Sequence, residues 1–490
     1  MYGISKRINF PMLMRVMGWL MIVEAVFMLV PLVTCLVYGE SDYLAFALSS
    51  AITAIIGASM TFFIRAERKS MAKREGFLLT ALVWVVFSLF GMMPFLLSST
   101  PLSVSDAFFE AMSGFTTTGA SVMTSIDHFS HGLLIWRCLM QWIGGLGIIL
   151  FTIAIIPMLN SSGGMQMFNA EVTGITHDKI RPRISQTAQG LWIIYIVLTV
   201  VLCALLCIGP MDFFESICHA FSSISTGGFS TQTQSIGAWD TLYVKIVIMV
   251  FMFLGGVNFV LLFKFSMGDF RSIWKNEVFR IYVKAIIVVF LLFVIAILVN
   301  VDDLTWETLT IDPLFLIVST ITSTGHAVAN FEQWGPFVLS LLFVLMFCGA
   351  CAGSTSGGAK LDRMLYLIKN TRNELRRSLH PNTILSVRVN NKVMSSELVN
   401  KVIAFLCLYV MLIMVGGIVL SATGIPLVDA FFSSFSCISN TGLGAGVTGY
   451  GGSYDIIPNV GKWILSFLML CGRLELFTVL LLFTPAFWKK

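Results

Sequence analysis

Charge is scarce in this sequence. Of its 490 residues only 12% are Asp, Glu, Lys or Arg, about half the share found in soluble domains, which excludes a string of water-soluble domains. The groupings that chemistry would need are missing too: no apolar window pairs carboxylates or gathers histidines, which argues against a membrane enzyme and leaves a receptor without transport little to stand on. Cysteine is present, but Cys348 and Cys351, the closest pair, have no second pair to complete a metal cage. The ten cysteines are expected to be small core residues.

What fills the chain is apolar: 57% of it is hydrophobic. A segment needs about 20 such residues to cross ~30 Å of hydrocarbon, and ten spans are expected, at 11–38, 44–64, 77–98, 132–159, 184–209, 238–265, 279–300, 335–368 (interrupted), 397–421 and 460–487. The first is too long for a cleaved leader and lacks a small-residue cleavage site after it. The fold class is therefore an all-α polytopic membrane protein. Most of the lysine and arginine falls in Arg65–Arg74, Lys179–Arg183, Lys264–Lys284, Lys360–Lys401 and the pair Lys489 and Lys490. The positive-inside rule places these segments, and both termini, in the cytoplasm. The other side carries acids, among them Glu40, Asp42, Asp106, Asp212, Asp312 and Asp429. They would either concentrate cations or simply be what remains once the bases are sorted inward.

A fourfold internal repeat organises the chain. Its copies are DAFFEAMSGFTTTGAS from Asp106, DFFESICHAFSSISTGGFS from Asp212, DPLFLIVSTITSTGHAVAN from Asp312 and DAFFSSFSCISNTGLG from Asp429. From the Asp to the glycine of Thr-Gly is thirteen residues in the first, third and fourth copies and fifteen in the second. Each copy lies between two spans and is too short to cross, so the unit is helix, re-entrant loop, helix. The expected segments are 1–75, an N-terminal helix pair, and repeats at 76–160, 161–270, 271–395 and 396–490. Backbone polar groups at membrane depth must be buried in protein or line a watery cavity, a condition four loops meet by gathering round one axis. The opening Asp suits a helix N-cap, and the negative end of each short helix would favour a cation at mid-membrane. A ring of carbonyls can replace the hydration shell of potassium, as in the TVGYG filters of potassium channels. The candidate ion-binding residues are Thr116, Thr117, Thr118 and Gly119; Ile224, Ser225, Thr226 and Gly227; Thr322, Ser323, Thr324 and Gly325; Ser439, Asn440, Thr441 and Gly442.

After each loop comes a helix with small residues: WIGGLGIIL from Trp142, FLGGVNFVL from Phe253, FCGACAGSTSGGAK from Phe347 and LCGRLELFT from Leu470. Close packing or bending accounts for small residues in general. The third has almost nothing bulky from Gly349 to Gly358, so it is expected to unwind beneath the filter and act as a gate through Gly349, Gly353, Ser354, Thr355, Ser356, Gly357 and Gly358. The run GSTSGGAK is not a phosphate-binding loop, because Lys360 does not directly follow the second glycine and no strand precedes it. Arg473, the base in the interior of the last span, has two open roles: an electrostatic barrier below the filter, or a structural pair with a carboxylate or helix C-terminus. His326 follows the third Thr-Gly, where the other copies have Ala120, Gly228 and Leu443; it is either a supporting donor or a pH-sensitive group at the mouth. His219 is expected to be a satisfied packing residue.

The loops TTTGA, STGGF, TSTGH and SNTGL, the GACAGSTSGGAK interruption and the final GRLEL resemble the Trk/Ktr/HKT superfamily of potassium transporters over residues 77–490, and specifically its Trk-type membrane subunit. The preceding helix pair is similar to the extra pair of Trk subunits. The resemblance implies potassium uptake across the bacterial inner membrane through one pore per subunit, a homodimer in membrane lipid, and a cytoplasmic Rossmann-type nucleotide-binding regulatory subunit. Potassium is then the transported ion, with no organic cofactor and no nucleic-acid partner. It also implies that glycine in all four loops, here Gly119, Gly227, Gly325 and Gly442, goes with potassium selectivity, that Gly349–Gly358 is the gating loop and that Arg473 is the pore arginine. The alternative is a sodium- or proton-coupled symporter, or a less selective potassium and sodium transporter, of the same fold; Glu24, Glu475 and His326 are the evident coupling candidates.

Overall fold

The computed structural model describes residues 8–64, 73–145, 147, 184–302, 304–383, 385–390 and 392–488. The apolar runs are helical, since a segment in hydrocarbon must satisfy its own backbone. Among the described residues six helices are long and apolar enough to cross a membrane: Phe10–Tyr38, Tyr43–Phe62, Arg74–Leu97, Gln189–Ile208, Glu277–Asn300 and Ser396–Ala422. Two more spans exist only as bent pairs, Leu242–Gly255 with Phe259–Ser266 at 106° and Asn459–Arg473 with Leu476–Phe483 at 117°. Where a span was expected at 335–368 there are Pro336–Cys348, a break, and Leu361–Leu379. The span expected at 132–159 is described as His131–Gly145, and its remainder lies outside the described residues. Among the described residues this makes six to eight candidate spans by length and composition, the breaks and bends dividing helices that composition alone runs together.

Bending is more widespread than the sequence suggests. The second and fourth small-residue segments break as well as the third, because their breaks are held by bonds to distant residues. Cys351 donates its backbone N–H to Gly256 O (3.2 Å) and Phe259 donates to Gly353 O (2.9 Å), so two broken helices satisfy one another's freed groups.

The N-terminal pair is closed by glycine. A Cβ on Gly18 would lie 2.6 Å from Gly57 O, and one on Gly57 would lie 2.8 Å from Gly18 O, so the two backbones touch as small-residue crossings allow. The connection between them reaches the rest of the molecule through two acids. Glu40 accepts from the backbone N–H groups of His131 (2.8 Å) and Gly132 (3.2 Å), and Asp42 accepts from Ser99 N (2.8 Å) and Ser130 Oγ (2.5 Å). Glu40 thereby serves the positive end of helix His131–Gly145.

Four short helices, Val104–Phe115, Phe213–Ile224, Ile311–Ile321 and Leu427–Ile438, carry the repeated motif. Each is at most 12 residues long, about 18 Å at 1.5 Å per residue, too short to cross. Only Asp212 is an N-cap, in a capping box with Glu215. The others begin at Ser103, Thr310 and Pro426, which puts Asp106, Asp312 and Asp429 inside the first turn, still beside the positive helix end. Several of the acids grouped above are engaged in structure. Lys245 lies 3.1 Å from Asp312 and 2.9 Å from Glu307, Lys462 lies 2.5 Å from Asp106, and Glu332 accepts from Gly446 N at 2.8 Å.

Candidate functional site: four turns in a ring

Each short helix ends in the same two bonds. In the first, Thr117 N–H donates to Gly114 O (3.0 Å) and Thr118 N–H to Ser113 O (2.9 Å). In the second, third and fourth the donors are Thr226 and Gly227, Ser323 and Thr324, and Asn440 and Thr441, with the corresponding acceptors Ser223 and Ser222, Thr320 and Ser319, and Cys437 and Ser436. This is a Schellman C-terminus, which normally places glycine at its left-handed position. Here that position holds Thr117 (φ 54°), Thr226 (54°), Ser323 (53°) and Asn440 (51°), at a cost of roughly 1–2 kcal/mol each. Such strain concentrates where a fixed backbone serves function.

The bonds fix where the carbonyls point. In a trans peptide the C=O of one residue opposes the N–H of the next, and no described peptide is cis. With the N–H groups of Thr117 and Thr118 turned back to the helix, the carbonyls of Thr116 and Thr117 point away from it. The same holds for Ser225 and Thr226, Thr322 and Ser323, and Ser439 and Asn440.

Two residues beyond the strained position stands a left-handed glycine: Gly119 (φ 83°), Gly228 (81°), Gly325 (84°) and Gly442 (74°). A side chain on Gly119 would overlap Gly227 O, one on Gly228 would overlap Thr324 O, one on Gly325 Thr441 O, and one on Gly442 Thr118 O. The first turn meets the second, the second the third, the third the fourth and the fourth the first, so the four enclose one axis.

In this arrangement the second repeat runs in a different register from the one its acids suggest. The left-handed glycine there is Gly228, and Gly227 takes the place of Thr118, Thr324 and Thr441. The set Ile224–Gly227 therefore shifts to Ser225–Gly228, and the counterpart of His326 is Phe229. The physical reason is the N-cap: Asp212 stands before the helix, while Glu215, thirteen residues before Gly228, matches Asp106. A signal was available. Ser113, Ser222, Ser319 and Ser436 each lie six residues before their left-handed glycine.

Polar side chains hold the turns from behind. Gln141 donates Nε2 to Gly227 O (2.7 Å) and accepts from Phe229 N (3.1 Å). Asn440 Nδ2 donates to Thr118 Oγ1 (2.9 Å) and Met469 O (3.0 Å). His326 is fully buried, with Nε2 3.1 Å from Ser223 Oγ, a supporting position. His219 is satisfied by Glu215 O (2.7 Å) and Ser230 Oγ (3.0 Å).

The unwound segment Gly349–Gly358 is pressed against the ring. Gly358 N–H donates to Ser439 O (2.9 Å), Gly357 N–H to Ser323 Oγ (2.5 Å), and Thr355 Oγ1 to Ile224 O and Gly255 O (3.1 Å each). Within it, Ser354 Oγ lies 2.8 Å from Ser356 Oγ, and Asn258 Nδ2 donates to Ala352 O (2.6 Å) beside Gly353. Arg473 donates to Thr355 O (3.0 Å), to Gly145 O (2.8 Å) and to Gly144 O. It thus clasps the segment to the C-terminal end of helix His131–Gly145. Glu475 is paired instead with Arg363.

The TrkH family model, described as a cation transport protein, matches residues 43–490. The chain belongs to the TrkH family. The Trk system potassium uptake protein TrkH of Escherichia coli (strain K12) is 37% identical over 489 residues, covering 98% of this chain and all of that protein. TrkG of the same organism is 30% identical over 487 residues, covering 96% of this chain and 97% of that one. The crystal structure of the potassium transporter TrkH from Vibrio parahaemolyticus superposes with a TM-score of 0.89 at 32% identity, over 98% of this chain and 100% of that chain. These similarities take in the N-terminal pair as well, in line with its likeness to the extra pair of Trk subunits. As a TrkH-family protein the chain is a transporter and not an enzyme.

Proposed function

We propose that the chain carries potassium into a bacterial cell across the inner membrane, through a channel-like filter made by the four turns. One observation supports this above the rest: four helix ends with left-handed residues turn carbonyls away from their own helices and meet in cyclic order. The ion-binding groups are Thr116–Gly119, Ser225–Gly228, Thr322–Gly325 and Ser439–Gly442. Carbonyl dipoles replace water around a dehydrated cation, and the negative ends of four short helices add to the attraction. The relatives named for potassium uptake supply the choice of ion.

In this reading the chain comprises an N-terminal helix pair, 1–75, and four pore units, 76–160, 161–270, 271–395 and 396–490, spanning the membrane ten times with both termini in the cytoplasm. Gly349–Gly358 and Arg473 form the gate, since Gly358 occupies a carbonyl at the ring itself. The protein works as a homodimer with a cytoplasmic Rossmann-type nucleotide-binding subunit. The basic helix Leu361–Leu379, with Leu375 and Leu379 exposed near Arg376 and Arg377, offers such a partner a surface.

Coupled symport is the second reading. One observation favours it: Glu24 is fully buried, and neither carboxylate oxygen has a hydrogen-bond partner. Collapsing the proton or sodium gradient at fixed voltage separates the two, since strict coupling stops potassium movement and conduction does not. The main test is growth of a potassium-uptake-deficient bacterium at low potassium, with the cytoplasmic subunit supplied. Absence of rescue sinks the proposal; rescue with altered selectivity in Gly119→Ser supports the filter assignment.

A further inference from the structure

In the short helices, the residue nine positions before the left-handed glycine lies beside the chain that leaves the turn. In the first helix it is Glu110, whose Oε1 accepts from Ser121 Oγ (3.0 Å) and whose Oε2 accepts from Val122 N (3.0 Å). In the second it is His219, beside Ser230 Oγ (3.0 Å), and in the fourth Ser433, 3.4 Å from Thr448 Oγ1. In the third it is Leu316, which is apolar and buried. The position can therefore be filled without charge.

Glu110 nonetheless carries a carboxylate with 0% exposure, and its partner Arg137 has 1%. Their separation is 2.6 Å, from Nε to Oε1. Arg137 also donates Nη2–H to Ser121 Oγ (2.8 Å) and Nη1–H to Ser230 O (3.4 Å), and its guanidinium lies 4.2 Å from the centroid of Phe229. Ser121 and Val122 leave the first turn; Phe229 and Ser230 leave the second. One guanidinium, fixed by one carboxylate, spans the exits of two neighbouring turns.

Desolvating such a pair is expensive, and apolar residues of similar volume commonly replace one without loss of stability. A planar, multidentate group does what apolar packing cannot: it fixes distances between the groups it bonds. We infer that Glu110 and Arg137 are positioning residues for ion selectivity, holding the chain beyond Gly119 and Gly228 at a set separation so that the ring does not contract around a smaller cation. The inference rests on the filter reading proposed above.

The test is potassium uptake, and its competition by sodium, in proteoliposomes containing the full chain. The double variant E110L/R137M removes both charges, leaves none orphaned and copies Leu316. It is expected to transport potassium with the potassium-to-sodium preference reduced about tenfold, a change of ~1.4 kcal/mol. Arg137→Lys, which keeps the charge but not the fork, is expected to shift the preference in the same direction. A wild-type preference in either variant that accumulates overturns the inference, and failure of both to accumulate assigns the pair to folding and overturns it as well. Gly119→Ser is the control: if it shifts the preference while the brace variants do not, only the brace falls, and if it leaves the preference unchanged the filter reading itself fails.

Discussion

Gly358 donates its backbone N–H to the carbonyl of Ser439 across 2.9 Å, joining the unwound segment of one helix to the ring formed by the turns. That carbonyl is one of those turned away from its own helix, so under the proposed filter the segment holds a group meant for the ion. Gly357, next to it, has no room for a side chain: a Cβ would overlap Ser439 O and lie 3.0 Å from Asn440 Cβ. Gly357→Ala should therefore dislodge the segment. Losing one such bond is worth ~0.5–1.5 kcal/mol, and the initial rate of rubidium uptake is expected to rise about two- to tenfold with the cation preference unchanged. A slower rate at equal protein in the membrane would contradict a gate at this contact.

The second turn offers a test of register. The atoms nearest a Cβ on Gly227 belong to the side chain of Gln141, whereas a Cβ on Gly228 would strike the backbone carbonyl of Thr324. Gly227→Ala should lose uptake and regain much of it when combined with Gln141→Ala. Gly228→Ala should not be rescued, because its obstacle is backbone and its φ of 81° is unfavourable for any side chain. Rescue of Gly228→Ala by Gln141→Ala would restore the register in which Gly227 is the filter glycine.

Arg473 presents a choice between charge and geometry. It donates to the carbonyls of Gly144, Gly145 and Thr355, a fork that satisfies a helix end and anchors the unwound segment together. Lysine has the charge without the fork. If the clasp matters, Arg473→Lys behaves like Arg473→Ala and both raise the uptake rate; if the charge matters as a barrier, Arg473→Lys behaves like the unmodified protein. The three carbonyl partners lead us to expect the first result. Initial uptake rates at matched voltage decide it.

Much of this architecture was legible in the sequence, for identifiable reasons. Phe10–Tyr38, Glu277–Asn300 and Ser396–Ala422 each hold a long window of high mean hydropathy with few charges, and length against bilayer thickness finds such helices directly. The bends at Gly255–Asn258 and Arg473–Glu475 were not legible, because they depend on partners such as Gly353 and Thr355 about 100 residues away. The turns were found by repetition, but repeating acids misled the register where Asp212 stands as a cap and Glu215 takes the place of Asp106. Glu110 and Arg137 stayed hidden for a similar reason: 27 residues apart, they meet only once Val104–Phe115 has packed against His131–Gly145.

The ring is also tied at its outer edge, and the ties alternate. Lys245, from the helix after the second turn, reaches Asp312 of the third short helix at 3.1 Å, and Lys462, from the helix after the fourth turn, reaches Asp106 of the first at 2.5 Å. These are opposite junctions of the ring. Lys245 and Asp312 are nearly buried, with side-chain exposures of 5% and 7%, so removing the lysine strands a carboxylate in a poorly solvated site. Breaking a buried pair from one side typically costs ~3–5 kcal/mol, while removing both charges leaves nothing orphaned. Lys245→Met should therefore lower the thermal midpoint in detergent, and Lys245→Met with Asp312→Asn should recover part of the loss. Glu307, 2.9 Å from the same ammonium but 41% exposed, can be rehydrated, so Glu307→Gln should change the midpoint far less. Because the two ties share no partner, the effects of Lys245→Met and Lys462→Met should add. A double variant no less stable than the weaker single one would show that the junctions are coupled through the ring.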